Sequence, residues 1–301
     1  MDSPSPQSIW RTVAQHTKQI TALAVDSKKE GLSGALYAAD STSAILFLQG
    51  NVLHELKKTN GQPVGLSIVS DERQTIIFVA DVAHQAILHL ELANHGEHNL
   101  TTFVDEYEQS SLLGPCSVTC HPDTGMLFFV DRGPAGAAPL FGPNASLFGV
   151  SKDEGILRCM IRSHLTASCV AVMPDRSLFI AEGPANRIIR GIPGERDVQV
   201  SFTVWKQLEG SSGPRAIAPG VIPTELGDMP VLVVLIVDEP TESAYLLLLD
   251  METQPIGRVD LPADSECTSL CVHEGNVFVV GGDDRNLILS CPLADMIEMD
   301  E

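Results

Sequence analysis

The chain contains few basic residues for its length. Its 301 residues include 19 lysines and arginines against 39 aspartates and glutamates, so the formal net charge is −20. Nucleic-acid phosphates require neutralisation by lysine and arginine, so this balance argues against a nucleic-acid partner and against anionic membrane surfaces. As an interaction signal, the acidity favours a basic protein partner or a cation.

Long hydrophobic runs are also missing. The longest candidate, Val231–Val237, is strand-sized and far shorter than the roughly 18 apolar residues of a membrane-spanning helix. The first ten residues carry neither a basic region nor an apolar stretch, so no secretory signal is predicted. We therefore expect a cytoplasmic protein without membrane insertion.

Motifs for catalysis and cofactor binding are absent from the sequence. There is no G-x-S-x-G nucleophile elbow, no Walker sequence and no dinucleotide-binding glycine pattern. The seven cysteines form neither a CxxC pair nor a Cys/His cluster at zinc spacing. Their odd number, in a chain without a signal, predicts reduced and buried thiols. The sequence thus predicts no cofactor, no metal site and no catalytic residue.

A repeated phrase dominates what the sequence does contain. Each copy begins with a strand-like stretch whose second and fourth residues are mostly small, and the copies start at Thr21, Val64, Cys116, Ser168, Arg215 and Thr268. A dense apolar strand follows, and the six copies of it end at Asp40, Asp81, Asp131, Glu182, Asp238 and Gly281. These endpoints recur at intervals of 41 to 56 residues. A four-stranded propeller blade occupies roughly 40 to 50 residues.

The repeat predicts an all-β fold: one six-bladed β-propeller over residues 1–301, with four-stranded antiparallel blades. The expected blades cover residues 20–56, 62–104, 114–161, 166–204, 213–261 and 267–291. Small residues at the same positions of every repeat suit the innermost strand of each blade, because the inner strands lie close together round a narrow axis. The last copy lacks an outer strand, and the N-terminal segment 8–14 can supply it and so close the ring.

The carboxylates at the ends of five apolar strands allow two interpretations. They could form an acidic ring that binds a cation or a basic peptide. Alternatively, each could accept hydrogen bonds from backbone N–H groups of its own turn, as aspartate does in turns generally. The second interpretation is preferred.

Four residues are candidate contacts for a partner or ligand. Two long loops, over Arg132–Asn144 and Gly220–Pro230, interrupt the repeat, and long loops on rigid scaffolds often carry function. In the first loop, Leu140 and Phe141 are apolar residues at a loop tip, and Arg132 begins it. Arg215 is the one charged residue among the six repeat starts. It could bind an anionic ligand or a partner's carboxylate, or form a salt bridge to an acid such as Asp238.

The repeats resemble those of NHL propellers, most clearly in Leu36–Leu48, Ile77–Leu90 and Leu178–Ile192. The stretches Gly114–Pro134 and Ala167–Gly191 are also similar to strictosidine synthase-like propellers, and the gluconolactonase (senescence marker protein) family shares this architecture. The resemblance implies a six-bladed fold. In the lactonase relatives it also implies a catalytic divalent cation over the channel, held by Glu, Asn and Asp at the first residue of successive inner strands.

This chain departs from that pattern at all six repeat starts, none of which is a carboxylate or a carboxamide. Calcium requires several convergent oxygen ligands, and an arginine at one of these positions would repel a cation. The sequence therefore favours a non-enzymatic scaffold of NHL-like type that binds a protein partner. The alternative is a hydrolase or lyase of the strictosidine synthase or lactonase type, acting at the channel mouth. A small anionic ligand bound by Arg215 is a third possibility.

Overall fold

The computed structural model describes residues 9–71, 74–92, 97–121, 123–134, 144–150, 155–193, 200–209, 213–225, 227–238, 243–262, 267–282 and 284–297. Within these residues the backbone forms six four-stranded antiparallel sheets. Each sheet is one blade, and the predicted all-β propeller with four-stranded blades is confirmed.

The first three blades each run in sequence order from the innermost strand to the outermost. Blade 1 comprises β2 (Ile20–Val25), β3 (Leu36–Asp40), β4 (Ala44–Gln49) and β5 (Val52–Lys58). Blade 2 comprises β6 (Pro63–Ser70), β7 (Thr75–Asp81), β8 (Ala86–Leu92) and β9 (Asn99–Val104), followed by a small hairpin of β10 (Glu106–Tyr107) and β11 (Ser110–Ser111). Blade 3 comprises β12 (Pro115–Cys120), β13 (Leu127–Asp131), β14 (Ala145–Val150) and β15 (Leu157–Leu165).

The second half of the ring repeats this order, except that the last blade takes its outer strand from the N-terminus. Blade 4 comprises β16 (Ala167–Val172), β17 (Leu178–Glu182), β18 (Arg187–Pro193) and β19 (Val200–Gln207). Blade 5 comprises β20 (Gly213–Thr224), β21 (Gly227–Asp238), β22 (Ser243–Asp250) and β23 (Pro255–Asp260). Blade 6 comprises β24 (Leu270–His273), β25 (Asn276–Gly281), β26 (Leu287–Pro292) and β1 (Arg11–Gln15).

The hydrophobic core lies between the blades. Ala22 and Ala24 of β2 pack in one cluster with Ile77 and Val79 of β7, so small residues on an inner strand make room for the branched residues of the next blade. The inner strands contact one another in sequence round the axis, and β24 contacts β2 to complete the circle. Because no blade buries its faces alone, the ring is stabilised as a unit.

The N-terminal strand closes the ring, as the sequence predicts. β1 pairs antiparallel with β26, with Thr12 opposite Leu289 and Ala14 opposite Ile288. The strand covers Arg11–Gln15 rather than 8–14. Directly after it, the His16 imidazole Nε2 lies 3.0 Å from Oδ2 of Asp40, a buried carboxylate of blade 1. The N-terminal segment therefore contributes a strand to blade 6 and a polar contact to blade 1.

Replacing His16 by alanine should reveal this contact through its pH dependence. Burial alone would raise the pKa of Asp40, but hydrogen bonds from His16, Ala44 and Thr42 outweigh it and lower the pKa below its ordinary value of 3.8. A carboxylate with a lowered pKa contributes stability above its unfolded pKa, and that contribution is lost as the pH falls through the folded value. We expect His16→Ala to cost about 1–3 kcal/mol at pH 7 and progressively less below pH 4, measured by urea unfolding.

The exposed neighbour Lys18 provides the control. Lys18→Ala should change the free energy of unfolding by no more than about 0.5 kcal/mol at any pH. A loss in His16→Ala that stays constant between pH 7 and pH 3 would contradict the assignment to Asp40.

The two predicted loops have different outcomes. Most of Arg132–Asn144, including Leu140 and Phe141, lies outside the described residues. The prediction of a loop over Gly220–Pro230 is wrong, because β20 and β21 continue past the blade as a regular hairpin that reaches the pair Thr224–Gly227. The buried side chain of Ile222 holds the hairpin against the core cluster of blades 5 and 6.

A short 3-10 helix, Leu293–Met296, follows β26. Its buried Leu293 and Met296 join the same core cluster. None of the helices in the described part of the chain is long and apolar enough to cross a membrane.

Candidate functional site

A channel of about 640 Å³ runs along the propeller axis between the six inner strands. This volume falls within the range of roughly 300–1,000 Å³ that is typical of small-molecule sites. Each inner strand lines the channel over about five extended residues, which span about 15 Å, so the channel is deep as well as wide. One end of the channel lies at the starts of the inner strands, and we call it the upper end; the opposite end is called the lower end. The upper end is lined by Val64, Cys116, Ser168, Arg215 and Thr268.

The residues of the upper end sit on β-bulges. In blades 1 to 5 the register of the inner strand against the next strand shifts at the repeat start, and the repeat-start residue lies at that shift. A β-bulge changes the direction in which a side chain points, and here a bulge lies at the repeat start of five blades. Pro214 pairs with Ile236 and Ala216 with Leu235, so Arg215 is the bulged residue of blade 5.

Hydroxyl groups at the strand starts join adjacent blades. Thr21 Oγ1 donates to the carbonyl of Pro63 at 2.7 Å, and Ser168 Oγ lies 3.1 Å from that of Pro214 and 3.2 Å from that of Ala181. One position further along, Ser117 Oγ accepts from Val170 N at 3.1 Å. These short polar side chains therefore act within the ring and fix one inner strand against the next.

Arg215 is exposed and lines the channel at the upper end. Its position is set by Gly213, two residues earlier. A Cβ atom on Gly213 would lie 2.4 Å from the carbonyl oxygen of Gly183, in the turn that follows β17. Only glycine permits this approach, which seats the start of β20 against the neighbouring blade.

Burial raises the pKa of three cysteines that line the channel, Cys116, Cys169 and Cys271. All seven cysteines are free thiols. Burial raises the pKa of Cys116 to about 12, although the positive charge of Arg132 acts in the opposite direction. Arg132 itself is exposed at the end of β13, and its backbone N–H donates to the carbonyl of Gly114. The Cys116 thiol is therefore protonated at neutral pH and serves as a wall of the channel.

The lower end carries charged side chains of both signs. Two lysines and two glutamates line it: Lys28, Lys29, Glu30 and Glu274. Lys29 Nζ donates to the hydroxyl of Tyr37 at 2.9 Å and lies 3.6 Å from Asp26 Oδ2. Glu274 Oε1 accepts from the backbone N–H of Gly31 at 2.9 Å and so ties the turn of blade 6 to the loop of blade 1.

The carboxylates at the ends of the apolar strands hold the turns together. Asp40 Oδ1 accepts from the backbone N–H groups of Thr42 and Ala44. Asp131 accepts from the backbone of Leu113, Gly114 and Gly133. These contacts reach both the turn after the strand and the connection that precedes the blade. Such carboxylates act as structural acceptors, and one oxygen of Asp40, Oδ2, is in contact with the His16 side chain instead of the backbone.

The upper end does not fit the divalent cation that the lactonase resemblance implies. Calcium takes six to eight oxygen ligands, mostly carboxylate or carbonyl. The six repeat starts, which would supply these ligands, hold an apolar residue, a protonated thiol, a guanidinium and three hydroxyls. Two of the hydroxyls, those of Thr21 and Ser168, bind backbone carbonyls of the next blade. In the described ranges no three His, Cys, Asp or Glu side chains are grouped as a metal site requires.

Comparisons with known proteins show the fold. No protein-family model matches the chain, and no curated protein matches it. A gluconolactonase from Xanthomonas campestris superposes with a TM-score of 0.67 at 15% identity, covering 94% of this chain and 88% of its own. A luciferin-regenerating enzyme superposes with a TM-score of 0.68 at 11% identity, and the match covers 97% of each chain. Regucalcin, a calcium-binding protein from Agrobacterium tumefaciens, superposes with a TM-score of 0.66 at 13% identity. The match covers 92% of this chain and 94% of regucalcin.

These neighbours confirm the resemblance to gluconolactonase-type propellers and contradict the expectation of a non-enzymatic scaffold. Two of them are named as enzymes, a gluconolactonase and a luciferin-regenerating enzyme. The absence of metal ligands at the strand starts is not evidence against an activity, because charged groups other than a metal ion can also stabilise a reacting carbonyl group.

Proposed function

We propose that the chain is a hydrolase of the lactonase or esterase type that opens small esters or lactones in the central channel, without a divalent cation at the strand starts. The observation that carries the proposal is the guanidinium of Arg215 at the upper end of a ligand-sized channel. Further support comes from fold neighbours that include a gluconolactonase and a luciferin-regenerating enzyme.

The chemistry follows from the residues at the upper end. Hydroxide adds to the carbonyl carbon, the C–O bond to the leaving alcohol breaks, and the products are a carboxylate and an alcohol. Negative charge develops on the carbonyl oxygen during this addition, and a guanidinium placed beforehand stabilises it. Among the described residues that line the upper end there is no carboxylate and no histidine, so the proposal takes hydroxide from solvent as the nucleophile.

Hydrolysis of p-nitrophenyl acetate and of a γ- and a δ-lactone tests the proposal. We expect turnover above the buffer rate, unchanged in EDTA or millimolar calcium, with a rate that rises with pH up to about pH 9. Removing an oxyanion donor typically lowers the rate about 100-fold or more, so Arg215→Gln should lose activity to that extent.

The control is Arg11→Gln, which removes the same charge from an exposed residue of β1 and should keep full activity. The proposal is overturned if no ester or lactone is hydrolysed faster than in buffer, or if Arg215→Gln is as active as the unmodified chain. Loss of activity in EDTA would overturn the metal-independent mechanism.

A further inference from the structure

We infer that residues 27–31, which we call the lid, form a movable cover at the lower end of the channel and are held shut by a latch from blade 6. The inference rests on the proposed function only in treating the channel as the site of the ligand. It adds a controlled opening at the end opposite Arg215. Proteolysis and thiol labelling test it, and neither measurement requires turnover.

Blades 1 and 5 each extend a segment past their sheets at the lower end of the channel. In blade 5 this segment is the hairpin of β20 and β21, whose residues Val221 and Pro230 line the channel. In blade 1 it is the connection from β2 to β3, whose residues 27–30 all line the channel. The Ile222 side chain of the hairpin is 3% exposed in the core cluster of blades 5 and 6. The hairpin is therefore the fixed side of the opening.

The lid lies between two anchored residues of blade 1. Asp26, directly before it, is buried, and its Oδ2 accepts from the Ser70 hydroxyl of blade 2 at 2.6 Å. Leu32, directly after it, packs against the core cluster between blades 6 and 1. Within the lid no residue is buried, and four of the five are exposed. Segments with few buried apolar contacts open at a lower free energy than the surrounding sheets, so the lid can move while both of its ends stay in place.

The latch consists of two side chains of blade 6 that bind both backbone groups of Gly31. Glu274 Oε1 accepts from the Gly31 N–H at 2.9 Å, and the buried His273 places Nε2 3.2 Å from the Gly31 carbonyl oxygen. Both side chains belong to the turn between β24 and β25. Lys29, by contrast, donates to the hydroxyl of Tyr37 in its own blade. The contacts at Gly31 therefore hold the lid to the neighbouring blade.

The backbone on both sides of the latch is adapted to this contact. Gly31 has a φ of +71°, a left-handed conformation that glycine adopts without strain. In the two-residue turn of blade 6, Glu274 has a φ of 46° and Gly275 a φ of 72°. Such turns favour Asn-Gly or Asp-Gly, so a glutamate at the first position is unusual. Costly backbone conformations persist where the structure uses them, and here the glutamate side chain binds the lid.

Breaking the latch gives the channel a second route to solvent. Arg215 lies at the upper end, so a ligand that reacts there can enter or leave through the lower end without passing it. Lids govern substrate entry and product release in many enzymes. The lid thus regulates access to the site of the proposed reaction and takes no part in its chemistry.

Limited proteolysis of the full chain with trypsin tests the latch, because the lid contains two cleavage sites, Lys28 and Lys29. When opening is fast relative to cleavage, the cleavage rate follows the population of the open form. Glu274→Ala removes a hydrogen bond to a charged group, so we expect cleavage at these lysines to be about tenfold faster or more. Glu274→Gln keeps an acceptor oxygen and should stay within about threefold of the unmodified chain.

The matched control is Glu225→Ala, which removes an exposed glutamate at the end of the fixed hairpin and should leave cleavage of the lid unchanged. Mass spectrometry locates each cut, and cleavage after Arg187 in β18 reports opening of the whole ring. Equal cleavage of the lid in Glu274→Ala and the unmodified chain would overturn the inference. An equal increase at Arg187 would overturn it too, because the substitution would then lower overall stability instead of releasing the lid.

An introduced thiol tests whether the lid limits access to the channel. Thr119, on β12, is partly exposed and lines the lower half of the channel. In a Thr119→Cys background, Glu274→Ala should raise the rate of alkylation by N-ethylmaleimide about threefold or more, and Glu225→Ala should not. An unchanged rate would show that residues 27–31 are not a lid. Faster cleavage without any ester or lactone hydrolysis would overturn the proposed function alone, and hydrolysis without faster cleavage would overturn this inference alone.

Discussion

Placing an aspartate at Ala14 should remove much of the stability of the propeller. Ala14 lies on β1 opposite Ile288 and is 3% exposed within the apolar cluster between blades 6 and 1. A carboxylate there would be buried without a partner, which costs about 3–5 kcal/mol. Single domains are stable by only about 5–15 kcal/mol, so Ala14→Asp should shift the urea midpoint strongly. Displacing β1 would also expose the edge of β26, and we expect association in size-exclusion chromatography.

The matched control is Thr12→Asp, on the same strand and with the same added charge. Thr12 is exposed, and its side chain is not part of the core. Its substitution should change the free energy of unfolding by no more than about 0.5 kcal/mol. Equal effects of the two variants would contradict the assignment of β1 as the outer strand of blade 6.

Most of the architecture was predictable because the sequence pattern and the fold share one cause. Small residues recur on the inner strands since adjacent blades approach most closely there, and the apolar strands end in carboxylates that hold the turns. The hairpin over Gly220–Pro230 escaped prediction because Pro223 and Pro230 argue against strands. Prolines are tolerated at strand edges, and both lie where the hairpin extends beyond β22, whose pairing with β21 ends at Val231.

The candidate site was predictable only in part. The sequence singled out Arg215 by its charge at a repeat start, and its role as a ligand contact stays a prediction, as do those of Arg132, Leu140 and Phe141. The bulges could not be read from the chain because they depend on pairing register and use no glycine at the bulged positions. The hydrogen bond from Thr21 to the carbonyl of Pro63 likewise depends on contacts between blades that no local pattern encodes.

Replacing Phe179 by alanine should have an effect of similar size in the middle of the ring. Phe179, on β17, is fully buried and belongs to a cluster that also contains Ile217 and Val234 of the next blade. Its ring meets that of Trp205 edge-on, with the centroids 4.9 Å apart. Truncation would leave a cavity between two blades that rigid sheets cannot close. We expect a loss of about 3–5 kcal/mol by urea unfolding.

Phe179→Leu provides the control, because it keeps most of the volume and should cost clearly less than the alanine variant. Equal losses would mean that the aromatic contact, rather than the cavity, determines the cost. The double variant with Ala14→Asp then tests whether the ring unfolds as a unit. The two sites lie in different core clusters, so their losses should add within about 0.5 kcal/mol in a single transition. Two separate transitions would show that blades on either side of the ring unfold independently, and the channel would then not be the rigid site that ligand binding at Arg215 requires.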